Sequence, residues 1–399
     1  MTRRKGRADA IDRAWSGIRY TRACVGLEVP PLADLRAALV TVARLDPVVA
    51  RHYAPDGSWR AVADDDLAAW SASVVTAVDD SNTGTDQILA RAREAALTSR
   101  FHVLVGTDWL ALAADHGLGD GQTADLLLVQ LLLQAASGAT VPLHWQRLGP
   151  VRRDARVAAG VARNIGSVRW VLDHRQALAG GSYGPMEPTE PHRLIVDVSD
   201  ADFMAGIRKR RDEHHPGASA AAVAIAGLRA GIAAELGEPR PGFECLFNTR
   251  ARDRGGLTAW GNWSAGVYLE PTDDDDPSSI GATLAEARSR GVASYALAAT
   301  RAAARRAGRS EGPRGVIAEG RPRLTVSYMT DRGLAAAPGF VPGQTLVVTD
   351  TVPNGLDTIT FQIVETAGRL VVSTAFFPEA WEPDRVAAGV RRFLSGGQG

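Results

Sequence analysis

The feature that most constrains the fold is a succession of three local signals between residues 101 and 136. Phe101–Val105 reads as a strand, Gly106-Thr107-Asp108 as a turn, and residues 109–114 as the returning strand. A glycine-rich loop follows, Asp115-His116-Gly117-Leu118-Gly119-Asp120-Gly121, and then residues 122–136, a helix apolar on nearly every face. Such a helix has to be buried. A hairpin feeding it argues against a purely parallel, doubly wound sheet. The class predicted is therefore α/β with mixed sheets.

The remaining chain is read around this unit. With 399 residues it is too long for one ordinary core, so two lobes are expected. The stretch 179–191, dense in Gly and Pro, is the expected connection. It leaves 1–178 as an N-terminal lobe carrying the loop and 192–399 as a C-terminal lobe. Before the hairpin, Leu32–Leu45 has helical spacing and is stopped by Asp46-Pro47. Residues 48–59 read as strands about the turn Ala54-Pro55-Asp56-Gly57, and 85–97 as a helix. Beyond the hairpin, 152–178 is a basic helix and Arg193–Val198 a strand. A helix starts near Ser199, and 218–236 is a small-residue helix that should pack closely. Phe243–Asn248, 266–270, 323–329, 344–349, 358–364 and 370–376 read as strands. Residues 272–279, with four consecutive aspartates, read as a solvated loop, and 284–306 and 383–393 as helices.

Charge and cysteine content exclude several functions. Lys plus Arg and Asp plus Glu are 45 each, a net charge of zero, which argues against a non-specific nucleic-acid binder. The two cysteines, Cys24 and Cys245, lie far apart in no metal-ligand or redox spacing. Neither a disulfide framework nor structural zinc is expected. The basic start is followed by no apolar h-region, and the apolar stretch 126–136 is short and broken by Gln130 and Gln134. The expectation is a cytoplasmic protein with no integral membrane segment.

The loop carries the chemistry. His116 stands at a strand end, where Asp115 faces the opposite side and is a poor partner for it. Gly117, Gly119 and Gly121 let the backbone turn sharply and leave room beside the imidazole. Asp120 stands at the mouth of the buried helix, where it can cap free N–H groups. An imidazole titrates near neutrality and suits general-base work. The competing dinucleotide-binding reading fails: the spacing is Gly-x-Gly-x-Gly, and no acidic residue follows about twenty residues on.

The pattern His116-x-x-x-Asp120-Gly121, after a hairpin strand and before an apolar helix, resembles the chloramphenicol-acetyltransferase-like superfamily. Peptide-synthetase condensation domains, polyketide-associated acyltransferases, wax-ester synthases and plant acyltransferases belong to it. Condensation domains usually carry a second His before the catalytic one, where this chain has Asp115. Phe247-Asn248-Thr249-Arg250 is similar to the Asn-x-Arg strand of the superfamily, and Gly261-Asn262-Trp263 to the Gly-Asn-aromatic element that follows. The Asp-Phe-Gly-Trp-Gly element of the acetyltransferases is not recognisable, and residues 323–333 stand near its place.

The resemblance implies two similar mixed-sheet lobes of the chloramphenicol-acetyltransferase type with a tunnel between them. It implies His116 as general base, with Asp120, Gly121 and Arg250 supporting the motif through an Asp120–Arg250 salt bridge. Asn262, Trp263, Ser327 and Tyr328 become candidates for the tunnel wall or the oxyanion. The donor would be acyl-coenzyme A or a phosphopantetheinyl carrier protein, with no bound cofactor or metal, and a small-molecule hydroxyl or amine would accept. The expectation is a stand-alone acyltransferase of specialised-metabolite or lipid biosynthesis. The alternatives are a non-catalytic carrier-protein-binding module and a thioester hydrolase. Arg152, Arg153, Arg156, Arg163 and Arg169, with Lys209, Arg210 and Arg211, could face coenzyme A phosphates or an acidic carrier, but a solvated helix face is the simpler reading. His214-His215 reads as a solvated loop, not a metal site.

Overall fold

A computed structural model describes residues 5–53, 58–79, 84–95, 100–173, 190–250, 257–307, 320–331 and 333–396. Two mixed sheets form two lobes. The N-terminal sheet has five strands in the order Leu346–Thr351, Arg19–Val25, Trp109–Asp115, Phe101–Val105, Val75–Ala77. The C-terminal sheet has six: Ser264–Leu269, Phe243–Asn248, Arg323–Thr330, Thr358–Thr366, Arg369–Phe376, Arg193–Val198. Each sheet mixes parallel and antiparallel neighbours.

Trp109–Asp115 is the middle strand of its sheet, and Trp109 through Ala114 are buried. A strand covered on both faces needs apolar residues at every position, which is why the run does not alternate. The helix Gly121–Ser137 is buried as its composition demands. Gln130 and Gln134, which break its apolar run, are hydrogen-bonded. Gln130 donates to the Val141 carbonyl at 3.2 Å, and Gln134 accepts from the Val141 N–H at 2.9 Å. Among the described residues no helix is long and apolar enough to cross a membrane.

The close packing expected of the small-residue helix is present in Ala220–Leu236. A Cβ at Gly231 would lie 2.2 Å from the Gly389 carbonyl oxygen of the closing helix Pro383–Leu394. The expected helix 284–306 is two helices, Pro277–Ser289 and Val292–Ala307, because Gly291 between them takes φ +61°. The aspartate run is more than a solvated loop. Asp276 caps Pro277–Ser289, while Asp274 and Asp275 pair with the buried Arg229. The basic helix 152–178 is also divided, into Pro150–Arg163 and Val168–Asp173. The turn at 54–57 and most of the connection 179–191 lie outside the described residues.

The boundary after residue 191 needs one correction. Leu346–Thr351, assigned by chain order to the C-terminal lobe, is an edge strand of the N-terminal sheet, antiparallel to Arg19–Val25. It brings Asp350 to the seam between lobes. There the buried carboxylate meets His192 Nε2 at 2.7 Å and Arg93 Nη2 at 2.8 Å, and Arg93 Nη1 also donates to the His192 carbonyl. Burial alone would raise the Asp350 carboxyl, but His192 and Arg93 hold it below its ordinary value. Its contribution to stability is therefore present at neutral pH and lost on acidification below about pH 4. Asp350→Asn should lower the unfolding free energy by about 3 kcal/mol at neutral pH and by progressively less below about pH 4, as read from urea melts at neutral pH and near pH 3.

Candidate active site

The loop is held by the ends of its strands. His116 N–H donates to the Ile18 carbonyl at 2.7 Å, next to the pairing of Arg19 with Asp115. The Asp115 side chain turns away from the imidazole. It accepts from Gly17 N–H at 2.6 Å, Gly117 N–H at 2.8 Å and Arg100 Nη1 at 3.2 Å. Glycine is required at 117 by proximity, since a Cβ there would sit 2.6 Å from the Asp12 carbonyl oxygen. Gly121 is different. It begins the helix and lines a cavity, and a Cβ there would meet nothing within 4 Å.

Asp120 ties the lobes together. Arg250 Nη2, at the end of strand Phe243–Asn248, lies 2.7 Å from Asp120 Oδ1, with both side chains buried. Oδ1 also accepts from Thr123 N–H at 3.2 Å, as an N-cap does, and Oδ2 from Trp263 N–H at 3.0 Å and Ser264 N–H at 3.1 Å. Arg250 further donates to the Ala259 carbonyl at 2.6 Å and to Gln122 Oε1 at 2.9 Å. Burial would raise the Asp120 carboxyl, but Arg250 and these N–H donors outweigh it and hold the group below its ordinary value. Arg252 and Arg254, close to Arg250 in the sequence, lie outside the described residues.

The strand-to-strand turn anchored this way delivers Asn262 behind His116. Asn262 Oδ1 lies 2.9 Å from His116 Nδ1, and Asn262 Nδ2 donates to the His116 carbonyl at 2.9 Å and to Asp12 Oδ1 at 3.0 Å. With the amide nitrogen committed to two acceptors, its oxygen faces the ring and Nδ1 carries the proton. Nε2 is then the basic nitrogen, and no described residue bonds to it. Arg153 closes the chain of contacts, reaching Asp12 Oδ2 at 3.0 Å and the Asn262 carbonyl. Trp15 stacks on the imidazole with centroids 4.7 Å apart, and Tyr20 meets it edge-on at 5.2 Å. Burial pushes the His116 imidazole below its ordinary value, more than the nearby carboxylates raise it. The ring is neutral at pH 7.

A cavity of about 1790 Å³ lies between the sheets, and His116, Asp120, Gly121, Ser327 and Tyr328 are among its lining residues. Two predicted wall residues are not. Asn262 is 1% exposed and orients His116, and Trp263, also 1% exposed, donates its indole N–H to the Trp260 carbonyl at 3.1 Å. Their elements turn inward because Asp120 binds the backbone at 263 and 264. The Tyr328 hydroxyl donates to Glu365 at 3.1 Å, and burial and Glu365 push its pKa up. That proton is committed away from an oxyanion. Ser327 lines the cavity. Arg153, grouped with a solvated basic face, is buried. His215 contacts Asp276 at 3.3 Å, and among the described residues no cluster of His, Cys, Asp and Glu could hold a metal.

No family model matches the chain, and no curated protein matches it in sequence. Solved structures do. The condensation domain of the Monacolin K polyketide synthase MokA superposes with a TM-score of 0.67 at 12% identity, covering 98% of this chain and 96% of that one. The first condensation domain of the CDA synthetase gives 0.64 at 16% identity, covering 99% and 95%. Polyketide synthase associated protein 5 from Mycobacterium tuberculosis gives 0.57 at 16% identity, covering 97% and 96%. This chain has the condensation-domain fold. The two-lobe architecture expected from the His116 motif is the architecture found.

Within this condensation-type fold, Asp12, Trp15, Tyr20 and Arg153 complete the surroundings of His116; the first three were not singled out in the sequence, and Arg153 was read only as part of a basic helix face. Asp12 and Trp15 come from a five-residue helix, Ala10–Ala14, and its C-cap. The only signal available was Asp9 as an N-cap, which marks a helix and not a partner. The ion pair yields a test. Arg250→Ala should lose about 3–5 kcal/mol of stability in urea melts, because it strands a buried carboxylate. Adding Asp120→Asn should recover part of that loss, whereas independent roles would make the two costs add.

Proposed function

We propose that this protein is an acyltransferase that moves an acyl group from a thioester to a hydroxyl or amine, with His116 as general base. The observation that carries the reading is the imidazole itself. Its Nδ1 is tied to Asn262, and its Nε2 has no bond from a described residue. Nε2 would take the proton of the acceptor O–H or N–H as that atom attacks the thioester carbonyl. The tetrahedral intermediate then collapses, the C–S bond breaks, and the imidazolium returns its proton to the departing sulfur. Atoms balance with the two substrates alone, so the reaction as written requires no cofactor. Donor thioesters on coenzyme A or on a carrier protein both suit this scheme. The fold neighbours that are synthetase and polyketide synthase domains favour the carrier-bound form and a biosynthetic role.

The test uses purified protein, a panel of acyl-thioesters and acceptor hydroxyls and amines, with thiol release and product both measured. His116→Ala should slow transfer by about 10²–10⁴-fold. A panel-wide lack of transfer by the unaltered protein would leave it a non-catalytic module. Thiol release without an acceptor would make it a hydrolase.

Two further outcomes follow from the same geometry. kcat/KM should rise with pH to a plateau, with a midpoint below about 6.5, because burial depresses the imidazole and only its neutral form accepts a proton. Asn262→Ala should lower kcat by about 10²-fold with KM little changed, since it frees the tautomer and ring orientation without touching the cavity wall.

A further inference from the structure

Three carboxylate side chains line the cavity: Asp120, Asp125 and Glu244. Two are neutralised by arginine. Asp120 has Arg250 at 2.7 Å, and Asp125 has the fully buried Arg22 at 2.7 Å. Glu244 has no described cation within 4 Å. Its Oε2 is fixed by two neutral donors, Thr325 Oγ1 at 3.2 Å and Asn354 Nδ2 at 3.1 Å. Its Oε1 receives no hydrogen bond from any described residue. The carboxylate is laid along the neighbouring strand, where a Cβ at Gly266 would fall 2.0 Å from Oε1. Glycine at 266 is what lets it lie there.

We propose that Glu244 is the binding site for a cationic amino group carried by a substrate of this cavity, remote from the reacting atoms. The proposal rests on the cavity being the substrate site. Glu244 stands four residues before Asn248 on strand Phe243–Asn248, about 13 Å along it at roughly 3.3 Å per residue. Asn248 bonds Gln122 at the start of the helix that follows the His116 loop. An ammonium on Oε1 would therefore mark the end of the substrate distant from His116. The surrounding wall agrees with a polar chain end: Thr325, Ser327, Thr360 and Gln362 line the cavity from adjacent strands. A carboxylate oriented by neutral donors keeps its full charge for a ligand, and a charge-assisted bond to an ammonium is stronger than a neutral one. Arg288 is the other charged side chain on this part of the wall, exposed and outside ion-pair distance of Glu244.

The experiment measures binding, not turnover, so that it stands apart from the acyl-transfer test. Probes are the primary amides of ω-amino acids of four to eight carbons, each matched with the unsubstituted amide of equal length, titrated calorimetrically into the full chain. The amino member should bind about tenfold more tightly at one or more lengths. Glu244→Gln, which keeps the shape and can accept from the same donors, should abolish that preference. His116→Ala should retain it. Equal binding of both members at every length overturns the proposal, as does a preference that survives in Glu244→Gln. A preference seen only in Arg288→Ala also overturns it, because Arg288 would then neutralise Glu244 in the unaltered protein.

Discussion

The contact between Asp120 and Arg250 is the constraint on which the site depends. Arg250 belongs to the C-terminal sheet and Asp120 to the loop of the N-terminal one. Removing two charges from water is costly, and their mutual attraction compensates only when their other hydrogen-bonding positions are also filled. Here they are. Asp120 accepts from the helix N-terminus and from the backbone at 263 and 264, and Arg250 donates to Ala259, Gly261 and Gln122. Each of those partners lies on an element that must be in place for the charges to be tolerable. The pair therefore joins the two lobes at the wall of the cavity, as the Asp350 contacts with His192 and Arg93 join them at the seam.

The placement of His116 follows from the same contact. Because Asp120 grips the backbone at Trp263, the preceding residue is delivered to the back of the imidazole. Asn262 is thus a consequence of the lobe clamp. The second lock comes from the other end of the chain, through Asp12 and Arg153. Orientation of the ring therefore relies on segments near residues 12, 116, 153 and 262.

That separation explains which parts were legible in the sequence. The hairpin, the loop and the buried helix are encoded by local periodicity and punctuation. Their bounds emerge within a residue of those read: 109–114 against Trp109–Asp115, 122–136 against Gly121–Ser137. Asp120 was legible locally as a helix cap, but its pairing with Arg250 only through resemblance to a known pattern, because no local rule joins residues 130 apart. Arg19–Val25 carries Arg22, which looks wrong for a central strand until Asp125 and Thr349 are seen to satisfy it. The edge strand Leu346–Thr351 was recognisable as a strand, but nothing in its residues says which sheet it joins. Asn262 was marked as a site residue with the wrong task, since a side chain's facing depends on contacts made a hundred residues away.

The choice of an amide as the partner of His116 has a chemical consequence. A carboxylate at Nδ1 would stabilise the imidazolium in the resting state and raise its pKa. The neutral Asn262 oxygen orients the ring and fixes its tautomer, and its hydrogen bond favours the cation without setting a full charge against the ring. The nearest charge behind it, Asp12, is one residue further back and is matched by Arg153. Burial then holds the ring neutral, with a free lone pair on Nε2. A buried neutral base is a weak one, so it serves only if the cation formed during reaction receives help at that moment. Asp120 and Asp115 provide a negative field at the imidazole without a hydrogen bond to it. Ring geometry thus comes from Asn262, and stabilisation of the cation comes from the Asn262 bond together with the carboxylates of the loop, with no carboxylate bonded to the ring.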